Sequence, residues 1–267
     1  MVEGEIMGGV RRRDVIKYMA AAGIAGAFSS LIIPTIRYVT PPALSGAAEY
    51  PRSLLVFSNG EPVRASQLPV NKPYLFYYPL TDTQNILINL GDRNGNPVEV
   101  KSVELLVTMH PLKVPSLAVG GEEKPIEGPP NVAKYVFPGG VGPNRSIVAY
   151  SLICQHLGCI FPQLRFYPPG QPTRFRTNPP DIGQRGGVLH CACHGTVYDP
   201  YRGAAVLLDP ALRPLPAIIL EWDSSTDYLY AVGVVGPTIF GKTCNLCGDV
   251  VKDRVTIYTP EEVGGSA

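Results

Sequence analysis

The sequence has almost no excess charge. Its 23 lysines and arginines face 22 aspartates and glutamates, a net charge of +1, so no field strong enough to steer a nucleic acid surrounds it. Strand–helix alternation is missing, which excludes a parallel sheet wrapped by helices. No internal repeat recurs. Six cysteines in 267 residues are too few for a disulfide scaffold and too many to ignore. What the chain has in quantity is turn-forming residues, 28 glycines and 28 prolines, both above their usual shares. Between them lie runs of Val, Ile, Leu, Tyr and Thr that read as short strands. The length allows one medium domain plus extras.

The N-terminus is the first clear signal. Arg11, Arg12 and Arg13 precede an uncharged run from Tyr18 to Ile36, about the length that a ~30 Å hydrocarbon core requires. The expected layout is a cytoplasmic tail at 1–14 and a single transmembrane anchor at 15–39. Arginines before the run place the tail inside and the remaining chain on the extracytoplasmic face of the cell membrane. The paired arginines also read as a twin-arginine export signal, a route for proteins exported already folded. Pro34 and the length of the run favour an uncleaved anchor in the lipid bilayer over a short cleavable signal. Residues 40–48, with Pro41 and Pro42, read as a linker that reaches roughly 30 Å when extended.

From residue 49 to 267 the pattern is β. Leu54–Phe57, Tyr74–Tyr78, Asn85–Leu90, Val103–Val107, Ser146–Ile153, Ala217–Trp222, Tyr228–Val232 and Val255–Tyr258 are strand-like, separated by turn formers. Asp223–Asp227 reads as the turn of a hairpin. Residues 111–145 read as loop-rich.

Two short segments carry the chemistry: Cys154-Gln155-His156-Leu157-Gly158-Cys159 and Cys191-Ala192-Cys193-His194-Gly195-Thr196. A structural zinc site prefers four ligands at C-x-x-C spacing. Here the spacings are C-x-H-x-x-C and C-x-C-H. A mixed-ligand [2Fe–2S] cluster requires two thiolates on one iron and two imidazoles on the other. One cysteine and one histidine from each segment meet that demand and leave one cysteine over in each. In an oxidising compartment the two left over would pair.

At this point the sequence resembles the Rieske proteins of cytochrome bc-type complexes, whose pattern is C-T-H-L-G-C with C-P-C-H-G-S; only Gln155, Ala192 and Thr196 depart from it. The resemblance implies an all-β Rieske fold of antiparallel sheets with a small cluster-binding subdomain at about 150–216. It implies cluster ligands Cys154, His156, Cys191 and His194, and a disulfide between Cys159 and Cys193. It gives Thr196 the place of a serine that hydrogen-bonds a bridging sulfide. Tyr198 takes the place of a tyrosine that reaches a ligand sulfur; donors to sulfur raise the potential. Pro214 and Pro216, in Arg213-Pro214-Leu215-Pro216, resemble the proline loop over the cluster, with Arg213 replacing its glycine. The paired extra cysteines resemble the high-potential, quinol-oxidising branch. The resemblance is firm over about 146–222 and weak elsewhere.

Some features stand apart. The 31 residues from 160 to 190 hold Arg165, Arg174, Arg176 and Arg185 against one acid, Asp181. They read as a solvated, proline-braced loop, with docking of an acidic partner as the alternative. His190 lies beside Cys191, but the C-x-C-H box favours His194; His110 reads as structural. Cys244 and Cys247 read as a local disulfide.

The function so implied is a one-electron carrier, the iron–sulfur subunit of a quinol-oxidising respiratory oxidoreductase. Electrons would come from membrane quinol and go to a cytochrome or copper acceptor, with a cytochrome b-type subunit as partner. His194 would hydrogen-bond the quinol hydroxyl, with His156 on the same iron. Two rivals are the small Rieske subunit of an arsenite-oxidase-type enzyme and a zinc-stabilised binding module without redox chemistry.

Overall fold

The computed structural model describes residues 48–116, 126–239 and 248–264. The tail, the anchor, all but the last residue of the linker, and Cys244 and Cys247 lie outside the described residues. Among the described residues no helix is long and apolar enough to cross a membrane.

Thirteen strands are present among the described residues: β1 Ala48–Val56, β2 Pro73–Tyr77, β3 Gln84–Asn89, β4 Val103–Leu106, β5 Lys134–Phe137, β6 Ile147–Ser151, β7 Leu164–Tyr167, β8 Val188–Cys191, β9 Val197–Asp199, β10 Ala205–Leu208, β11 Ala217–Asp223, β12 Tyr228–Val235 and β13 Arg254–Thr256. One short helix, α1, spans Pro180–Arg185. The all-β expectation therefore stands, with almost no helix.

Seven strands form one sheet in the order β13, β1, β12, β11, β6, β3, β2. Its pairs are antiparallel except β1 with β13. Beyond β13, Tyr258 exchanges backbone hydrogen bonds with Leu75 of β2 at 2.7 and 2.8 Å, so the two ends of the sheet meet and it curls on itself. Central strands are buried on both faces: all six residues of β3 and all five of β6. β12 alternates half-buried and buried residues through Tyr228–Gly233, the period of a strand with one face on the core. The β11–β12 hairpin forms as its sequence suggests. The Asp223 carboxylate accepts the Ser225 N–H at 2.9 Å and the Thr226 hydroxyl at 2.9 Å, an Asx-type closure of the turn.

In the second sheet, of order β10, β9, β8, β7, the second box joins β8 to β9, while the first box lies between β6 of the large sheet and β7. This sheet shares a core with the large one: Leu75, Ile86, Val148 and Tyr150 of the large sheet lie in one cluster with Cys154, Cys191 and Tyr198. β4 and β5 pair as a separate ribbon, so the loop-rich stretch 111–145 contains a strand at its C-terminal part.

Residues 160–190 depart from a simple solvated loop. They supply β7, α1 and most of β8, and Ile182 of α1 is fully buried against Tyr167, Val188, Val197 and Leu207. Apolar side chains at these few positions give the segment a small core of its own, which its prolines and exposed arginines conceal in the sequence.

Candidate metal centre

The two boxes fold into matching turns. In the first, Cys154 N–H donates to Cys159 O at 2.8 Å and Gly158 N–H donates to Cys154 O at 2.9 Å. In the second, Cys191 N–H donates to Thr196 O at 2.8 Å and Gly195 N–H donates to Cys191 O at 2.9 Å. Each turn thus closes from its first cysteine to the residues four and five places on. The fourth position has φ 78° in Gly158 and 90° in Gly195, a conformation that only glycine adopts without strain. A shared C-x-x-x-G therefore underlies both boxes. The sequence carries this motif alongside the ligands.

The turns face one another and are joined by the Cys159–Cys193 disulfide, with sulfurs 2.11 Å apart and the two cysteines 34 positions apart in sequence. Cys154 and Cys191 are free and buried, each 1% exposed. Their thiols hydrogen-bond to each other, and together with donation from Tyr198 and Thr196 this pulls the Cys154 thiol down to about 6, while Cys191 is driven upward by the same contact and by burial. Cys191 also lies within 4.8 Å of the disulfide sulfurs.

The imidazoles form the other half. The rings of His156 and His194 stand edge to face with centroids 4.7 Å apart. His194 is exposed and His156 half-buried. Nδ1 of His156 is buried and has no hydrogen-bond partner among the described residues. A buried ring nitrogen left open in this way costs about 1–3 kcal/mol unless a ligand takes its lone pair. Two thiols, two imidazoles and this open nitrogen fit a [2Fe–2S] cluster with one cysteine-held and one histidine-held iron.

The surroundings of the thiols are donors. The Tyr198 hydroxyl lies 3.4 Å from Cys154 Sγ and accepts the Gln155 N–H at 3.0 Å. Burial, and next the Cys154 charge, hold the phenol well above its ordinary range, so it keeps its proton and donates to the thiolate. Thr196, fully buried, donates to the same sulfur and accepts the Ala211 N–H at 3.2 Å. The segment Ala211–Pro216 is thereby fastened to the second box. Leu212 O accepts Met109 N–H at 2.9 Å and Pro216 O accepts Ser151 N–H at 2.8 Å. Pro214 and Pro216 are both buried.

Two further titratable residues lie buried near the site. Asp199 is fully buried at the end of β9; its carboxylate accepts Ser116 N–H at 2.9 Å and Tyr201 N–H at 3.0 Å, and burial raises it to about 6. The Asp-Pro pair marks Asp199 as the cap of the turn at Pro200–Arg202, but its burial under Ser116, 83 residues away, leaves no local sign. His190 is fully buried with neither ring nitrogen hydrogen-bonded among the described residues. Burial lowers it to about 4, so it is neutral. It precedes Cys191 on β8, and neighbours on a strand point to opposite faces; its ring meets Tyr167 and Phe175, at 6.0 and 6.2 Å between centroids. His110 is exposed, away from these groups in sequence and contacts.

Residues 132–219 match the family model described as the Rieske [2Fe-2S] domain. The chain is 27% identical over 185 residues to iodate reductase subunit IdrB of Denitromonas iodatirespirans, covering 69% of this chain and 66% of that protein. It thus spans just under two thirds of that relative. The crystal structure of the soluble domain of Rieske protein II from Sulfolobus acidocaldarius is 29% identical, covering 72% of this chain and 81% of that one, with a TM-score of 0.41.

Proposed function

We propose that this chain, which carries a Rieske [2Fe–2S] domain and takes that cluster as its cofactor, is the iron–sulfur subunit of a quinol-oxidising respiratory complex. It accepts single electrons from membrane quinol and hands them to a cytochrome or copper acceptor, beside a cytochrome b-type subunit. The observation that carries this reading is the tip of the two boxes. His194 is exposed there, edge-on to His156, and the same loops expose Leu157 (56%) and Ile160 (38%), with Leu212 (48%) on the adjoining segment. Contiguous exposed apolar residues mark an interaction site, and a lipid-soluble quinol suits an apolar rim with one imidazole in it.

When bound by Cys154, Cys191, His156 and His194, the cluster supplies the one-electron chemistry. The protein supplies the rest. The exposed edge of His194 hydrogen-bonds the quinol hydroxyl and holds its proton. The burial of Cys154 and Cys191 excludes water from the thiolate side. Tyr198 and Thr196 donate to sulfur, which favours added negative charge and so raises the potential. The Cys159–Cys193 disulfide supports an oxidising, extracytoplasmic site for the head, in keeping with an anchor at 15–39.

A second reading is favoured by the similarity to iodate reductase subunit IdrB: the small electron-transfer subunit of a reductase or arsenite-oxidase-type enzyme that does not meet quinol. Redox titration of the native membrane complex at several pH values, with quinol as reductant, separates the two. A high potential that falls as pH rises, together with reduction by quinol, is the expected result. A complex inert to quinol overturns the first reading in favour of the second.

A further inference from the structure

Residues 109–116 supply no ligand, yet both their ends are tied to the walls of the site. Two prolines and no alternation give this stretch, Met109-His110-Pro111-Leu112-Lys113-Val114-Pro115-Ser116, the look of a loop. It runs along β10, the outer strand of the second sheet. Leu112 N–H and Lys113 N–H donate to the Val206 and Leu207 carbonyls of that strand, each at 2.9 Å. The Leu112 side chain packs against both the core around Cys154 and Cys191 and the smaller one around Ile182.

The ends are fastened by different means. At one, Met109 N–H donates to Leu212 O at 2.9 Å, and the Met109 side chain is fully buried in the core that holds Cys154, Cys191 and Tyr198. At the other, Ser116 N–H donates to one oxygen of the Asp199 carboxylate at 2.9 Å and the Ser116 hydroxyl to the second at 3.5 Å. Both of those residues are buried. What the stretch reaches is part of the apolar rim. In the Ala211–Pro216 segment, Thr196 holds Ala211 N–H, Ala204 O accepts Leu215 N–H at 3.3 Å, and Ser151 N–H holds Pro216 O. Those bonds come from the sheets and the second box; the Leu212 carbonyl is held by Met109. Leu212 is 48% exposed, and an exposed side chain on a backbone already placed loses less freedom when it is bound.

We propose that residues 109–116 are a positioning strap: fastened to Asp199 through Ser116, they hold Leu212 where it packs on the quinol, and so set quinol affinity from behind the rim. This rests on the reading of the histidine tip as a quinol contact. The strap touches no thiol or imidazole of the site through its hydrogen bonds, so it acts on binding and leaves the potential alone. Ser116 and Leu112 are positioning residues; Leu212 is the residue that meets the substrate.

The test uses the full-length protein in its native, cluster-loaded membrane complex, with decylubiquinol and a short-chain menaquinol as probes. Ser116→Pro deletes the N–H given to Asp199. It should raise KM about fivefold, what the loss of one or two methylenes of apolar contact is worth, with kcat, the paramagnetic resonance spectrum and the midpoint potential unchanged. Leu112→Ala, which loosens the strap midway without adding a proline, should do the same. Leu212→Ala should raise KM by a similar factor, and neither strap variant should raise it further in that background. Hydrogen exchange read by mass spectrometry should quicken at 109–113 and 211–213 in both strap variants and stay unchanged at 154–159 and 191–196. An unchanged KM in Ser116→Pro and Leu112→Ala, or an increase that adds to that of Leu212→Ala, overturns the strap and leaves quinol oxidation standing. A wild-type complex that neither quinol reduces sinks the quinol reading, and the inference with it.

Discussion

The two sheets differ in what they do with buried polar groups. In the seven-stranded sheet such groups mostly answer one another. Asn89 donates to Leu68 O at 2.8 Å and receives the Ser146 hydroxyl at 2.6 Å, and Asn85 donates to Tyr78 O at 2.6 Å. The atoms left open there include the hydroxyls of Tyr78 and Ser151, which are neutral and bind metals poorly. Around the four-stranded sheet the open atoms include imidazole nitrogens of His156 and His190, beside two buried free thiols. The open hydroxyls of the large sheet call for no ligand, whereas the open Nδ1 of His156 beside two buried thiols calls for one.

The largest effect should come from removing a ligand. Replacing His194 with Ala should abolish iron binding, read as metal content and loss of the reduced protein's paramagnetic resonance signal. Far-ultraviolet circular dichroism should show the strands of the large sheet retained. A variant that loads a full cluster would remove His194 from the ligand set. Next in size is the staple between the boxes. Changing Cys159 and Cys193 together to Ser frees a loop of 34 residues, worth roughly 3–4 kcal/mol in the chain-entropy model. Denaturant titration should show the cluster signal lost at lower denaturant than the strand signal. Coincident transitions at the wild-type midpoint would deny the staple its role.

How much of this contrast the sequence carries depends on the length scale. β2, β3, β6, β11 and β12 are runs of Leu, Ile, Val and Tyr between turn residues, and their positions are legible to within a few residues. The proposed ligands stand out because thiols and imidazoles at that spacing have few other uses, and the disulfide pairing follows from the resemblance. β7 to β10 have three or four residues each, too few for a period to register. Pro162, Pro168 and Pro169 flank β7 and disguise it as loop. The buried places of Asp199 and His190 depend on Ser116 and Phe175, residues 83 and 15 positions away, and no local pattern carries such a contact. The anchor and linker fall outside the described residues and stay expectations.

Asp199 offers a test through pH. Its folded value, about 6, lies above the ordinary aspartate value near 4. The folded state therefore keeps a proton that the unfolded chain gives up between about pH 4 and 6, and stability falls as pH rises through that window. The full cost above the window is at most about 3 kcal/mol, roughly two pKa steps. Asn cannot ionise, but it keeps only one of the two oxygens that accept from Ser116 and Tyr201. Asp199→Asn should therefore flatten the stability profile between pH 4 and 6, while the lost hydrogen bond lowers stability across the range by about 1–3 kcal/mol. An unchanged slope, measured by denaturant midpoints across that range, would mean that water or a counter-charge already relieves the buried carboxylate.

The smallest expected effect falls on the donor that links the sheets' two kinds of chemistry. The Tyr198 hydroxyl is 3.4 Å from Cys154 Sγ and lies on β9, so removing it alters the charge balance at sulfur while leaving the ring to pack. A hydrogen bond worth about 1–1.5 kcal/mol corresponds to roughly 40–60 mV for one electron. Tyr198→Phe should lower the potential by that amount, because the reduced form loses a donor to its added negative charge. The thermal midpoint should move little, since Phe fills the same apolar space, although Gln155 N–H loses its acceptor. A potential that stays put while the midpoint drops would make Tyr198 a packing residue, and the division between a self-sufficient sheet and one tuned for electrons would then rest on Thr196 alone.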